Sequence, residues 1–211
     1  KLLQGDQLDI AMNYVFRDAV KDFFVNNIKP SEFDARLNHM LADYHNEVNE
    51  AMYNLIDSHD TKRFIFECNN IKSIFRLAVA FQILFCGSPA IYYGDEVGMT
   101  GDNDPDCRGA MIWDEAKQDR DIYQWYRKLI RIRKDNMAVK RGDFYTIVCD
   151  DILNLYGFLR SKDNEDIYVI INRSSSKITT YVPLRNGEHF EDLLNYEILN
   201  SVPLEKDDKF Y

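Results

Sequence analysis

The tightest constraint on this chain is a change of periodicity near residue 140. Before it, short apolar runs of strand length alternate with longer stretches of helical spacing. After it, only short β-branched and aromatic runs remain, separated by polar turns. Residues 8–14 (LDIAMNY) predict a short strand. Phe16, Val20, Phe23, Phe24 and Ile28 then form a helical stripe over 16–28. Pro30-Ser31 opens a second helix with the face Phe33, Leu37, Leu41, Tyr44, Val48 and Met52, and Ser31 with Asp34 has the spacing of an N-terminal capping arrangement. Residues 53–56 (YNLI) predict a strand, 71–85 a helix apolar on most sides and hence buried, and 90–93 (AIYY) another strand after the break at Gly87-Ser88-Pro89. A loop rich in Gly, Asp, Asn and Pro spans 98–109, and a last helix carries Ile122, Trp125, Tyr126, Leu129 and Arg133.

That order is the pattern of a parallel βα array. Three strands cannot close a barrel, so the array is part of a larger βα domain or a small open sheet. The second half predicts strands at 144–149, 152–160, 166–172 and 178–184, an antiparallel β-domain whose boundary with the first lies within 136–143. The expected domains are therefore 1–138 and 139–211.

A net charge of −9 argues against a nucleic-acid partner and an anionic membrane surface, both of which need clustered Lys and Arg. Residues 77–86 are too short an apolar run to span a bilayer, and no charged-then-apolar leader opens the sequence. Cys68, Cys86, Cys107 and Cys149 lack zinc-type pairing, and Cys86 is expected to be buried. The chain has 13 Tyr, 13 Phe and 2 Trp, which reads first as an aromatic core; Trp113 is placed there rather than on a sugar platform.

Two apolar runs stop abruptly in charged residues: Leu55-Ile56 into His59-Asp60, and Tyr92-Tyr93 into Asp95-Glu96. In a (β/α)₈ barrel, strand ends of this kind carry the chemistry. The competing explanation is a helix N-cap at Ser58 or Asp60. Asp95 and Glu96 read as structural, a cap and a brace.

The segments themselves carry a resemblance. Residues 54–63 (NLIDSHDTKR) resemble the fourth conserved segment of the α-amylase family, in its neopullulanase, cyclomaltodextrinase and maltogenic-amylase branch. Residues 87–99 (GSPAIYYGDEVGM) resemble that family's eighth barrel strand and following loop. Residues 103–108 (NDPDCR) with 111–114 (MIWD) resemble a loop of the same branch, and 9–24 the sixth strand and helix. The matches run in the family's order over residues 5–135. The β-half agrees with the family's C-terminal domain only in position and texture.

The resemblance implies the last part of a (β/α)₈ TIM barrel, about three βα units, followed by an antiparallel β-sandwich whose closing strand is cut short at Lys209-Phe210-Tyr211. It implies a retaining attack on α-1,4 linkages of maltooligosaccharides, cyclodextrins or pullulan, through a carboxylate nucleophile and a carboxylic acid. Asp60 matches the third carboxylate, which holds the 2- and 3-hydroxyls of the distorted sugar, and His59 the histidine beside it. Asp104 and Arg108 match residues lining the neighbouring subsite; the bland alternative is an exposed loop ion pair. Arg63 is assigned to substrate binding, with bracing of the strand end as its alternative. The nucleophile Asp and acid Glu belong to earlier strands, and no Arg-x-Asp or Glu-x-Trp pattern of the expected kind occurs here. The fragment is therefore expected to be inactive alone. No cofactor is expected in this segment, calcium being a matter for the parent protein. An α-glucan oligosaccharide is the expected partner, with self-association through the open barrel edge, and the location is expected to be cytoplasmic. A non-catalytic glucan-binding or structural piece, and a transglycosylase of the same family, are the alternatives.

Overall fold

The computed structural model describes residues 3, 8–185 and 189–200. The described chain divides into two compact units, 1–178 and 179–211.

In the first unit, helix α1 (Tyr14–Phe24) begins where the Asn13 side chain accepts the Phe16 N–H, 3.0 Å. This cap limits the strand expected at 8–14 to a single parallel bridge between Met12 and Tyr53. Helix α2 (Pro30–Ala42) starts with Pro at its first turn, where a missing N–H costs nothing. Ser31 does not cap it. Its N–H and hydroxyl both donate to Asp151, and Asp34 accepts from Thr146 and Tyr156 instead. The long helix expected to reach Met52 is broken at 43–45, after which α3 (Asn46–Ala51) resumes. Asn49 fills the break by donating to the carbonyls of Leu41 and Tyr44.

Strand β1 (Tyr53–Leu55) pairs in parallel with β2 (Ser88–Ala90), and α4 (Phe64–Glu67) and α5 (Lys72–Leu84) form the crossover. The second strand is shorter and earlier than 90–93, because Gly94, in the left-handed region at φ +90°, turns the chain right after Tyr92-Tyr93. Two strands and one bridge are thus what the described residues contain of the expected βα units. Side-chain amides reinforce them. Asn13 Nδ2 donates to Asn54 Oδ1 (2.8 Å), Asn54 Nδ2 to the Cys86 carbonyl (2.7 Å), and Gln82 Nε2 to the carbonyls of Asn54 and Ala90 (3.0 and 2.7 Å). Cys86 is buried, as its surroundings predict.

Helix α6 (Arg120–Asp135) is capped by the Asp119 carboxylate, which accepts the N–H groups of Asp121 and Ile122. Helix α7 (Met137–Arg141) leads into an antiparallel sheet of β3 (Asp143–Asp150), β4 (Leu155–Lys162) and β5 (Glu165–Asn172), in that order. The strand expected from residue 152 begins at Leu155, because Asp150 Oδ1 accepts the N–H groups of Ile152 and Leu153 and closes a turn there. The sheet lies against α1, α2 and α5 through an aromatic core. Phe33 stacks on Phe23 with ring centroids 4.1 Å apart, and Phe81 meets Phe85, Tyr156 and Phe158. Arg173 closes the join, its guanidinium over the Phe23 ring at 4.1 Å and donating to the Ile28 carbonyl.

Residues 178–184 form no strand. The second unit contains the hairpin β6 (His189–Asp192) and β7 (Glu197–Asn200). The three-stranded sheet and this hairpin are what the described residues hold of the expected β-sandwich; its clipped closing strand, together with residues 5–7 of the family match, lies outside them. Among the described residues no helix is long and apolar enough to cross a membrane.

Candidate functional site

Strand β1 runs into four buried residues before the chain surfaces. Leu55, Ile56, Asp57 and Ser58 are all covered, while the side chains of His59 and Asp60 are 55% and 57% exposed. The turn that brings them out is held by Ser58. Its hydroxyl accepts the Asp60 N–H at 3.2 Å and contacts the Tyr14 hydroxyl at 3.3 Å, and its own N–H donates to Thr61 Oγ1 at 3.0 Å. The nearest helix start is served by a different residue: Asp57 Oδ2 accepts the N–H of Phe64, the first residue of α4, at 2.6 Å. His59 and Asp60 are therefore free of capping duty, which removes the helix-cap explanation for that pair.

At the tip, His59 Nε2 lies 3.2 Å from Asp60 Oδ1. Arg108, from the loop after β2, reaches across: its Nε donates to the His59 carbonyl at 3.0 Å, and its Nη2 stands 3.5 Å from Asp60 Oδ1. Asp104 Oδ1 lies 3.5 Å from the same Nε. The loop bearing these residues is latched by Lys62 Nζ on Asp102 at 2.6 Å and by the thiol of buried Cys107 donating to the His59 carbonyl at 3.5 Å. An anionic acceptor, a ring N–H and a guanidinium thus face solvent together at one strand end. Such a set can accept from one hydroxyl of a vicinal diol and donate to its neighbour.

Arg63 does not belong to this exposed group. Its side chain has no solvent exposure. Nη1 donates to the Tyr93 carbonyl at 2.7 Å and to Asp95 Oδ1 at 3.0 Å, and the guanidinium lies 4.6 and 4.9 Å from the Tyr92 and Tyr93 ring centroids. Its assignment to substrate binding is corrected accordingly. The guanidinium braces the two strand ends from beneath and does not reach the surface on which His59 and Asp60 are exposed. Asp95 is its buried hydrogen-bond partner, and Glu96 Oε2 accepts the Gly94 N–H at 2.8 Å. Trp113, placed in the core on composition, is 80% exposed. Among the described residues no group of three or more His, Cys, Asp or Glu is placed to hold a metal.

Asp57 is the residue that sequence reasoning passed over. Burial raises its carboxyl above the ordinary range, and burial followed by the Asp57 charge raises Asp95 well above it, against the pull of Arg63. The available signal was Asp57's position directly after an apolar run, two residues before His59.

The chain has relatives among known proteins. The model of the α-amylase catalytic domain matches residues 1–142. A cyclomaltodextrinase of Geobacillus thermopakistaniensis (strain MAS1) is 42% identical over 197 residues, 92% of this chain and 34% of that protein. Neopullulanase 2 of Thermoactinomyces vulgaris is 41% identical over 198 residues, 92% of this chain and 34% of its own length. A solved cyclomaltodextrinase superposes with a TM-score of 0.85 at 38% identity, covering 90% of this chain and 34% of that one. The chain thus spans about a third of the length of the curated relatives it matches.

Proposed function

Because this chain belongs to the α-amylase family of glycoside hydrolases, we propose that it serves a retaining hydrolase of α-1,4 linkages in maltooligosaccharides, cyclodextrins or pullulan. In this reading β2 is the eighth strand of a (β/α)₈ barrel, and the antiparallel half belongs to a C-terminal β-sandwich. The observation that carries the proposal is the convergence of His59 and Arg108 on Asp60 at one strand end, with His59 Nε2 3.2 Å and Arg108 Nη2 3.5 Å from Asp60 Oδ1.

Asp60 accepts the hydroxyls of the sugar undergoing distortion. An ionised acceptor gains most where those hydroxyls become more acidic, as positive charge grows on the ring, so it binds the transition state more tightly than the ground state. His59 donates to the same sugar. Arg108 fixes the backbone beneath His59 and keeps Asp60 in register, while Asp104 orients Arg108. The nucleophile and acid come from residues outside this chain, and the 211 residues by themselves leave glucans intact.

The test compares the full-length protein, its Asp60→Asn variant and this chain on maltotriose, β-cyclodextrin and pullulan. The full-length protein cleaves, this chain is silent, and Asp60→Asn lowers kcat/KM by on the order of 10³-fold. A full-length protein that cleaves none of the three, or whose rate is indifferent to Asp60→Asn, removes the hydrolytic reading.

A further inference from the structure

Directly beneath the His59–Asp60 turn, two carboxyl groups and one guanidinium lie almost out of reach of solvent. Asp57 is 2% exposed, Asp95 1% and Arg63 0%. Two carboxylates against one cation would leave a surplus negative charge in the interior, which is costly unless it is neutralised. The hydrogen bonds show how neutralisation is arranged. Asp57 Oδ2 is engaged by the Phe64 N–H and Asp95 Oδ1 by Arg63 Nη1. The other oxygen of each, Asp57 Oδ1 and Asp95 Oδ2, is buried without a donor. Asp57 is bonded to the N–H of Phe64 and Asp95 to the side chain of Arg63, the residue just before it, so both carboxyls are gathered at the same point of the chain. A proton between them supplies the missing donor, satisfies both orphaned oxygens and cancels the surplus charge.

We propose that Asp57 and Asp95 hold one proton between them, carried on Asp95, and that this neutralised pair with Arg63 anchors the turn bearing His59 and Asp60. All three are positioning residues: none reaches the surface where the turn presents its side chains. The other groups facing the pair are compatible with this arrangement. Arg17 of α1 acts on Asp57 from a distance, and its Nε has no partner. The buried Tyr126 hydroxyl of α6 senses Asp57, Asp95 and Glu96 but makes no hydrogen bond, so it does not provide the missing donor. Cys68, which follows α4, is held in its thiol form, its pKa raised to about 12 first by burial and then by Glu67 and Asp57.

The sign of the pH effect follows from the proton. Unfolded, both carboxyls release their protons near pH 4. Folded, the pair retains one at higher pH. The native state therefore binds the additional proton, and this pair's contribution to stability declines as pH rises from about 4 through the folded-state pKa.

Urea unfolding of this chain between pH 5 and 8, with Asp95→Asn, Asp57→Asn and the double variant, tests the proposal without reference to glucan hydrolysis. Asn at 95 presents an amide N–H where the acid O–H stood and keeps an oxygen toward Arg63. We expect Asp95→Asn to fold and to remove a pH dependence of up to about tenfold per pH unit in the unfolding constant. The double variant, which leaves Arg63 with no anion, should be less stable than either single one. The ring signals of His59, one of four histidines, should keep their positions in NMR spectra of Asp95→Asn and move in the double variant. An Asp95→Asn chain with an unchanged pH slope overturns the shared proton. His59 signals indifferent to loss of both carboxylates overturn the anchoring role. The activity of the full-length protein bears on neither outcome, so failure here is distinguishable from failure of the hydrolase reading.

Discussion

Replacing Arg63 by Met retains much of the side-chain length and apolar packing while deleting the cation. In the native structure Arg63 has no exposure, donates to Asp95 Oδ1 and the Tyr93 carbonyl, and stacks on two tyrosines. Without it, the Asp57–Asp95 pair must take up a second proton or hold an uncompensated charge. Protonating one further carboxyl at pH 7, relative to an unfolded chain in which it titrates near the ordinary 3.8, costs about 4 kcal/mol. That agrees with the ~3–5 kcal/mol typical of breaking a buried pair from one side. At pH 5 the same step costs about 1.4 × 1.2, or about 1.7 kcal/mol, to which the lost hydrogen bonds and stacking add ~1–2 kcal/mol. Urea titrations at the two pH values read this directly. With a slope of about 2 kcal/mol per molar, the midpoint should fall by roughly 2 M or more at pH 7 and by clearly less at pH 5. An equal loss at both pH values, or a loss below about 1 kcal/mol at pH 7, refutes the electrostatic account and leaves Arg63 as a packing residue.

Other expectations are simpler. Phe33→Ala removes a fully buried ring stacked 4.1 Å from Phe23 and should cost about 3–5 kcal/mol by chemical denaturation. Arg108 is half exposed, so Arg108→Ala should change stability by no more than about 1 kcal/mol; in the full-length protein it should weaken oligosaccharide binding, read by calorimetry. Leu8, Ile10, Met12, Ile91 and Tyr93 leave apolar surface around the β1–β2 pair exposed, and light scattering of this chain should show mass rising with concentration. A clean monomer at high concentration would remove that expectation.

The helices were legible because their signals are long and redundant. The stripe from Phe16 to Phe24 buries the predicted face, and in the last helix Ile122, Tyr126 and Leu129 are buried while Trp125 stays partly exposed. Strand limits were not, since a strand of three residues has too few positions to show a period. At 8–14 one side chain, the Asn13 cap, outweighs the apolar residues before it. At 31 the capping pattern was present, but distant partners such as Asp151 and Thr146 took up its side chains. The exposed site was visible as polar residues ending apolar runs. Its foundation was less so: Asp57 stands directly after an apolar run, but that position alone does not separate a buried Asp57 from an exposed Asp60 three positions on. Only the fold, which brings Asp95 and Arg63 beside Asp57, makes the difference.

The amide network through Asn13, Asn54 and Gln82 also bears on alignment errors during folding. Three paired residues of parallel backbone hold register weakly, since a slipped pairing would recover much of the same hydrogen bonding. Asn54 makes slippage unprofitable: its side chain must accept from the Asn13 amide N–H and donate to the Cys86 carbonyl, while Gln82 spans the carbonyls of Asn54 and Ala90. A shift by one residue would strand these buried amides and point Asp57 to the wrong face. The side chains thus act as a gauge for the strand ends. The depth at which the chain leaves β1 toward His59 and Asp60 is thereby set from within the strand pair, before the loops take hold.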